Sequence, residues 1–120
     1  MKTGIIVFGH GSPIESANQS VRIIASEAAR QGGWELFETA FLEAFPRLDE
    51  AISKLAAQGA EEIVVLPYFL TLGLHLQRDL PKLVEDLSEA HRIVIRVAPP
   101  LDGHPGLIRI LVDRAIGIAQ

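Results

Sequence analysis

Along the chain, short unbroken apolar runs alternate with longer stretches in which apolar residues recur every three or four positions. Ile5-Ile6-Val7-Phe8 is continuous and mostly β-branched, the pattern of a strand covered on both faces. It runs into Gly9-His10-Gly11, and Ser12-Pro13-Ile14-Glu15 follows. That tetrapeptide predicts a helix start, with Ser12 as cap, Pro13 in the first helical position and Glu15 closing a capping box. Val21, Ile24, Ala25 and Ala28 continue one apolar face, and Gly32-Gly33 end the helix.

Leu36 to Leu42 predicts a second strand, with Leu36, Glu38, Ala40 and Leu42 alternating against Phe37, Thr39 and Phe41, and its mixed polarity suggests a sheet edge. A helix is predicted from Pro46, with Leu48, Ile52, Leu55 and Ala56 turned inward and Gly59 as its stop. Ile63-Val64-Val65-Leu66 starts the third and most apolar strand, and Pro67 to His75 reads as an irregular apolar loop. Asp79-Leu80-Pro81 predicts the start of the next helix, Ile93 to Val97 a fourth strand, and Pro105 to Ile118 a last helix. Four strand–helix alternations imply an α/β fold, a parallel sheet between two helical layers. Right-handed crossovers around a central first strand give the order 2-1-3-4, flavodoxin-like in its core.

Composition narrows the chemistry. At 120 residues, one compact domain that folds without staples is expected. A net charge of -4 and the absence of any Lys/Arg cluster exclude a nucleic-acid binder. With no cysteine, disulfides, thiolate metal sites and cysteine nucleophiles are excluded, so a metal would be held by imidazole and oxygen. No signal-peptide pattern opens the chain, and no apolar run approaches the roughly 20 residues that span a bilayer. The expected location is the cytoplasm, with no membrane partner.

In open parallel sheets, ligands bind beyond the carboxyl ends of the strands where strand order reverses. Here that point lies between the first and third strands. His10 follows the first, His75 the third and Glu43 the second. Two imidazoles and a carboxylate suit an open site for a divalent transition metal. Each residue also has a structural reading: a turn histidine between glycines, a loop histidine paired with a neighbour, a solvated strand-end carboxylate. His91, near a helix end, and His104, before Pro105, read as structural. Ser12 could serve a serine hydrolase, but no G-x-S-x-G elbow surrounds it. The apolar stretch Pro67 to Leu76 suits either a flat hydrophobic ligand or a packed loop or dimer surface. Residue types and spacing go no further than a small α/β protein with a histidine-lined crevice.

The chain resembles the short sirohydrochlorin chelatases, class II chelatases of cobalamin and siroheme synthesis. The resemblance is carried by Ile6-Val7-Phe8-Gly9-His10-Gly11-Ser12, by Ala40-Phe41-Leu42-Glu43 and by Gln58-Gly59-Ala60. Its densest part runs from Val65 through Pro67-Tyr68-Phe69-Leu70-Thr71-Leu72-Gly73-Leu74-His75 to Asp79-Leu80-Pro81, and Pro100-Leu101-Asp102-Gly103-His104-Pro105 closes it. The resemblance implies a single chelatase domain over residues 1–120 that inserts cobalt, iron or nickel into sirohydrochlorin. The metal would be a substrate, and no cofactor would be permanently bound. His10, Glu43 and His75 would be both catalytic and metal-binding, with His10 also accepting pyrrole protons. Leu70, Thr71, Leu72, Gly73, Leu74 and His75 would line the tetrapyrrole, with Phe45 beside them. Pro13 stands where the family often has Arg, and Phe45 where it commonly has a carboxylate. Long members carry two such units in tandem, so a single unit implies a homodimer. The alternative within the same fold is a module that binds metal or tetrapyrrole without catalysis.

Overall fold

The run Ile5–Phe8 forms the middle of β1 (Thr3–Gly9), which is hydrogen-bonded to a parallel strand on each side. Its neighbours are β2 (Leu36–Phe41) and β3 (Glu62–Pro67), and β4 (Val94–Val97) lies beyond β3. The order β2-β1-β3-β4 is the expected one, with the mixed-polarity strand β2 at an edge. The helices between and after the strands are α1 (Glu15–Gly32), α2 (Leu48–Ala57), α3 (Leu74–His91) and α4 (Gly106–Ala119). The computed structural model describes residues 1–119. Among them, no helix is long and apolar enough to cross a membrane.

Side-chain alternation divides the sheet into two faces. On one, Ile6, Phe8, Ala40, Ile63 and Val65 pack with Ile52 and Leu55 of α2 and with Leu80 and Val84 of α3. At the rim of this face Lys54 of α2 meets Glu38 of β2 at 2.7 Å. The opposite face carries α1, whose Arg22 guanidinium lies 5.6 Å from the centre of the Phe41 ring. Buried Val7, Phe41, Ala25 and Ala29 belong to this second layer.

Helix starts differ from the sequence expectation: α2 begins at Leu48, two residues after Pro46, and α1 and α3 differ in ways that bear on the site. α1 begins at Glu15 rather than at Pro13, and no side chain caps it. Ser12 Oγ accepts a hydrogen bond from the Ile14 N–H instead, and Glu15 turns to Arg22 and Asn18. The buried Asn18 side chain holds the turn: its Oδ1 accepts from Ser12 N–H at 2.8 Å, and its Nδ2 donates to the Ser12 carbonyl at 2.9 Å. A side-chain clamp from inside the helix has replaced the capping box. α3 begins at Leu74, five residues before Asp79, so His75 lies in a helical first turn and not in a loop. Pro81 sits inside this helix, although proline is most at home in a first turn. The glycine cap Gly73 and the Gln77 N–H bonded to its carbonyl at 2.9 Å mark the true beginning.

Leu55 is fully buried between α2 and the sheet. Leu55→Ala is expected to destabilise the fold by about 2–5 kcal/mol, read as a lower urea midpoint with an unchanged slope. The Arg22 hydrogen bond, then that of Asn18, holds the Glu15 carboxyl below its ordinary range. A depressed folded-state value contributes stability above the unfolded pKa and loses it as pH falls through the folded one. Arg22→Ala should therefore move the Glu15 titration upward by NMR and reduce the acid sensitivity of α1.

Candidate functional site

The carboxyl end of β1 is where the sheet's order reverses, and its neighbours are stitched to it beyond the last strand residues. Leu42 N–H donates to the Gly9 carbonyl at 3.1 Å and Glu43 N–H to the His10 carbonyl at 2.9 Å. On the other side Tyr68 N–H donates to the Phe8 carbonyl at 2.7 Å. The turn after His10 needs glycine: Gly11 has φ +87°, and a Cβ there would stand 3.0 Å from Ala44 and Phe41 atoms.

These bonds bring His10 and Glu43 side by side. His10 Nδ1 is 3.8 Å from Glu43 Oε2 and 3.0 Å from the Gly11 carbonyl oxygen. A carbonyl only accepts, so the ring donates through Nδ1–H and its Nε2 keeps a free lone pair. Both side chains are exposed. His75 arrives from the first turn of α3. Arg78 lies one turn on, with a guanidinium nitrogen 3.3 Å from His75 Nδ1 and its Nε donating to Asp79 at 3.0 Å. Guanidinium only donates, so His75 Nδ1 is the accepting nitrogen in this arrangement. The Arg78 hydrogen bond holds the Asp79 carboxyl below its ordinary range, and Asp79 in turn keeps Arg78 protonated.

His10 and His75 line one cavity of about 630 Å3, walled mainly by Leu42, Phe69, Leu76, Leu80 and Leu83. Phe69 is fixed edge-on against Phe8, ring centres 6.0 Å apart. An apolar wall with two imidazoles and Asp79 at its rim suits a large, flat, mainly apolar ligand that carries a few polar atoms. A wider apolar groove of about 850 Å3 lies on the other flank of α3, between Leu80, Val84, Ile95 and Val97, and contains no histidine.

The site expected from sequence is thus partly assembled. His10 and His75 share the cavity, and Gly73 and Leu74 join them. Glu43 does not complete a three-ligand set: among the described residues, no three His, Asp or Glu side chains are grouped to hold one ion. The physical reason is its side of the ring, since it faces the His10 nitrogen already engaged with Gly11. Its carboxylate stands 3.8 Å from that nitrogen, beyond hydrogen-bond distance. Leu70 and Thr71 are exposed outside the cavity, Leu72 turns to the groove on the other flank, and exposed Phe45 stacks under Arg47 at 5.0 Å. None of these four lines the cavity. In the sequence Leu76 reads only as the end of the apolar stretch, and Leu83 only as part of the following helix, because that helix is expected to begin at Asp79. Their spacing with Leu80 is nevertheless that of one helix face.

The remaining histidines are structural, as expected. His91 Nε2 is 2.6 Å from Asp49 Oδ1, tying the end of α3 to the start of α2. His104 Nδ1 accepts the Gly106 N–H at 2.9 Å at the head of α4. The Ser12 hydroxyl oxygen accepts from the Ile14 amide, and among the described residues no histidine is hydrogen-bonded to it, which leaves the hydrolase reading without a nucleophile–base pair.

Comparison with known proteins places the chain in a family. The family model described as CbiX matches residues 4–117. A sirohydrochlorin cobaltochelatase of Methanopyrus kandleri is 38% identical over 81 residues, 67% of this chain and 57% of that protein. The crystal structure of a putative cobalamin biosynthesis CbiX protein from Marinobacter aquaeolei VT8 superposes with TM-score 0.83 at 31% identity, over 96% of this chain and 98% of that one. The sirohydrochlorin chelatase SirB from Bacillus subtilis subspecies spizizenii, solved in complex with cobalt, shares the fold with TM-score 0.89 at 24% identity. It is matched over 99% of this chain but only 52% of its own. With nearly the whole chain matched by the family model, and a similar chain of like size sharing the fold, this protein belongs to the CbiX family.

Proposed function

We propose that this protein is a sirohydrochlorin chelatase, inserting a divalent metal, supplied as substrate, into the tetrapyrrole. The observation that carries the reading is the pair of imidazoles, from β1 and α3, on the rim of one apolar cavity. The name of the Methanopyrus relative supports the substrate, and the cobalt in the Bacillus structure supports the kind of ion.

Insertion exchanges two pyrrole N–H protons for one cation, so the site must hold the ion loosely and accept protons. His10 Nε2 offers a lone pair for either task, because Nδ1–H is spent on the Gly11 carbonyl. When the ring takes a proton, the Glu43 carboxylate 3.8 Å from Nδ1 balances the new charge. At His75, a cation approaching Nδ1 displaces one Arg78 nitrogen, and Arg78 retains its bond to Asp79. Two imidazoles without a third fixed ligand leave positions for the macrocycle nitrogens to enter. Phe69, Leu76 and Leu83 offer apolar contact for the flat ring, while Arg78, beside His75, is a cation for its carboxylates. The reading carries with it a cytoplasmic location, a single unit over residues 1–120, and pairing of two copies.

A spectrophotometric assay with sirohydrochlorin and Co2+, Fe2+ or Ni2+ tests this directly. The wild type should turn over with at least one metal; folded protein inert with all three would refute the reading. His10→Ala and His75→Ala should each lower kcat/KM by about 100-fold or more. Glu43→Gln should cost less than His10→Ala and act mainly on kcat, since it touches the proton acceptor rather than the ion. The absence of a third grouped ligand also favours a second reading, a binding module without catalysis. Its signature is tight macrocycle binding, followed by fluorescence quenching, with no insertion of any of the three metals.

A further inference from the structure

A ligand rich in carboxylates has to be met by cations, and this chain, with a net charge of -4, offers few. Arg22, Lys54 and Lys82 are each engaged with a carboxylate of the chain itself. The walls of the histidine cavity contain no Lys or Arg, and Asp79 stands among them. One guanidinium is placed differently. Arg47, the residue before α2, takes part in none of the ion pairs among the described residues. Its guanidinium lies over the ring of Phe45 instead, 5.0 Å from the ring centre.

Stacking occupies the face of a guanidinium and leaves the N–H groups in its plane free to donate. Those donors form the fork that takes a carboxylate through two parallel hydrogen bonds. Phe45 is 66% exposed, so burial does not explain it. What it supplies is a flat, uncharged support that orients the fork without filling it. The backbone on either side is anchored: Phe41 N–H donates to the Pro46 carbonyl at 2.9 Å, and Arg47 N–H donates to Glu50 Oε1 at 3.1 Å. The start of α2 therefore uses the main chain of Arg47 and not its guanidinium.

Arg47 lines a recess of about 200 Å3 whose walls include Leu42 and Leu83. The same two leucines wall the histidine cavity, so the recess adjoins it. Its volume is below the usual range for a whole ligand, whereas the 630 Å3 cavity lies within that range. A ring fits the cavity and a side arm fits the recess. Of the residues lining the recess only Arg47 and Asp49 are charged, and Asp49 is engaged by His91 Nε2 at 2.6 Å. The charge left to meet an incoming arm is that of Arg47.

We propose that Arg47, seated on Phe45, binds one peripheral carboxylate of the tetrapyrrole while the ring occupies the cavity beside His10 and His75. Apolar walls alone leave a flat ring free to turn in its own plane. Arg78 beside His75 and Arg47 at the recess give it two fixed points, so Arg47 helps to decide which macrocycles are accepted and in which orientation. The inference rests on the chelatase reading for the identity of the ring, and not on the insertion step.

Titration of the full chain with metal-free sirohydrochlorin, followed by fluorescence quenching, tests it. Arg47→Ala should weaken binding by about 10-fold or more. Arg47→Lys should restore only part of the loss, since it keeps the charge without the fork. Phe45→Glu should weaken binding as Arg47→Ala does, by setting a carboxylate of the chain against the guanidinium. A second titration uses the same ring with its carboxylates converted to amides. Wild type and Arg47→Ala should bind that ring equally, because the fork then has no anion to take. Equal affinity of wild type and Arg47→Ala for sirohydrochlorin overturns the proposal. An equal loss with the amidated ring also overturns it, by making Arg47 a structural residue. A wild type that inserts metal while Arg47→Ala binds normally refutes this proposal alone. One that binds the macrocycle through Arg47 and inserts nothing refutes the chelatase reading alone, and one that does not bind it at all overturns both.

Discussion

The arrangement of this molecule depends on β1 lying between β2 and β3, parallel to both, with its hydrogen-bond ladder carried past the strand ends. Glu43, Leu42 and Tyr68 each donate a backbone hydrogen bond to the end of β1. Two loops distant in sequence are thereby pinned to the end of β1. His10 gains Glu43 as a neighbour from one side and the apolar Phe69 from the other. Without the order reversal at β1, the same residues would face unrelated surfaces.

The fold was largely legible because each strand is a short apolar run and each crossover is long enough for a helix. Strand order followed from handedness and from the polarity of Leu36 to Leu42, which marks an edge. Helix starts were less legible. Ser12 and Glu15 have the spacing of a capping box, but buried Asn18 competes for the same backbone atoms and wins with two hydrogen bonds to Ser12. Asp79-Leu80-Pro81 resembles a first turn, yet α3 starts at Leu74 because Gly73 supplies the cap and Leu76 and Leu80 can reach the sheet.

The site was legible where topology alone decides it and illegible where rotamers do. That His10 and His75 meet one cavity follows from the carboxyl ends of β1 and β3 being adjacent. That Glu43 stands beside His10 Nδ1, which the Gly11 carbonyl already claims, is announced by no residue pattern. The stretch from Leu70 to His75 looked uniform in sequence. Folded, it divides: Leu70 and Thr71 go to solvent, Leu72 to one flank of α3, and Gly73 to His75 to the other.

The Asn18 clamp has a consequence for how such a site can vary. It grips Ser12 through main-chain atoms, and the next bond in the turn uses the Ile14 amide. Position 13 contributes no hydrogen bond, and its side chain is exposed. Pro13 can therefore replace an arginine there with no mechanical effect on the loop that carries His10. Ligand preference and loop architecture are decoupled at this point, so one can drift across related chains while the other stays put.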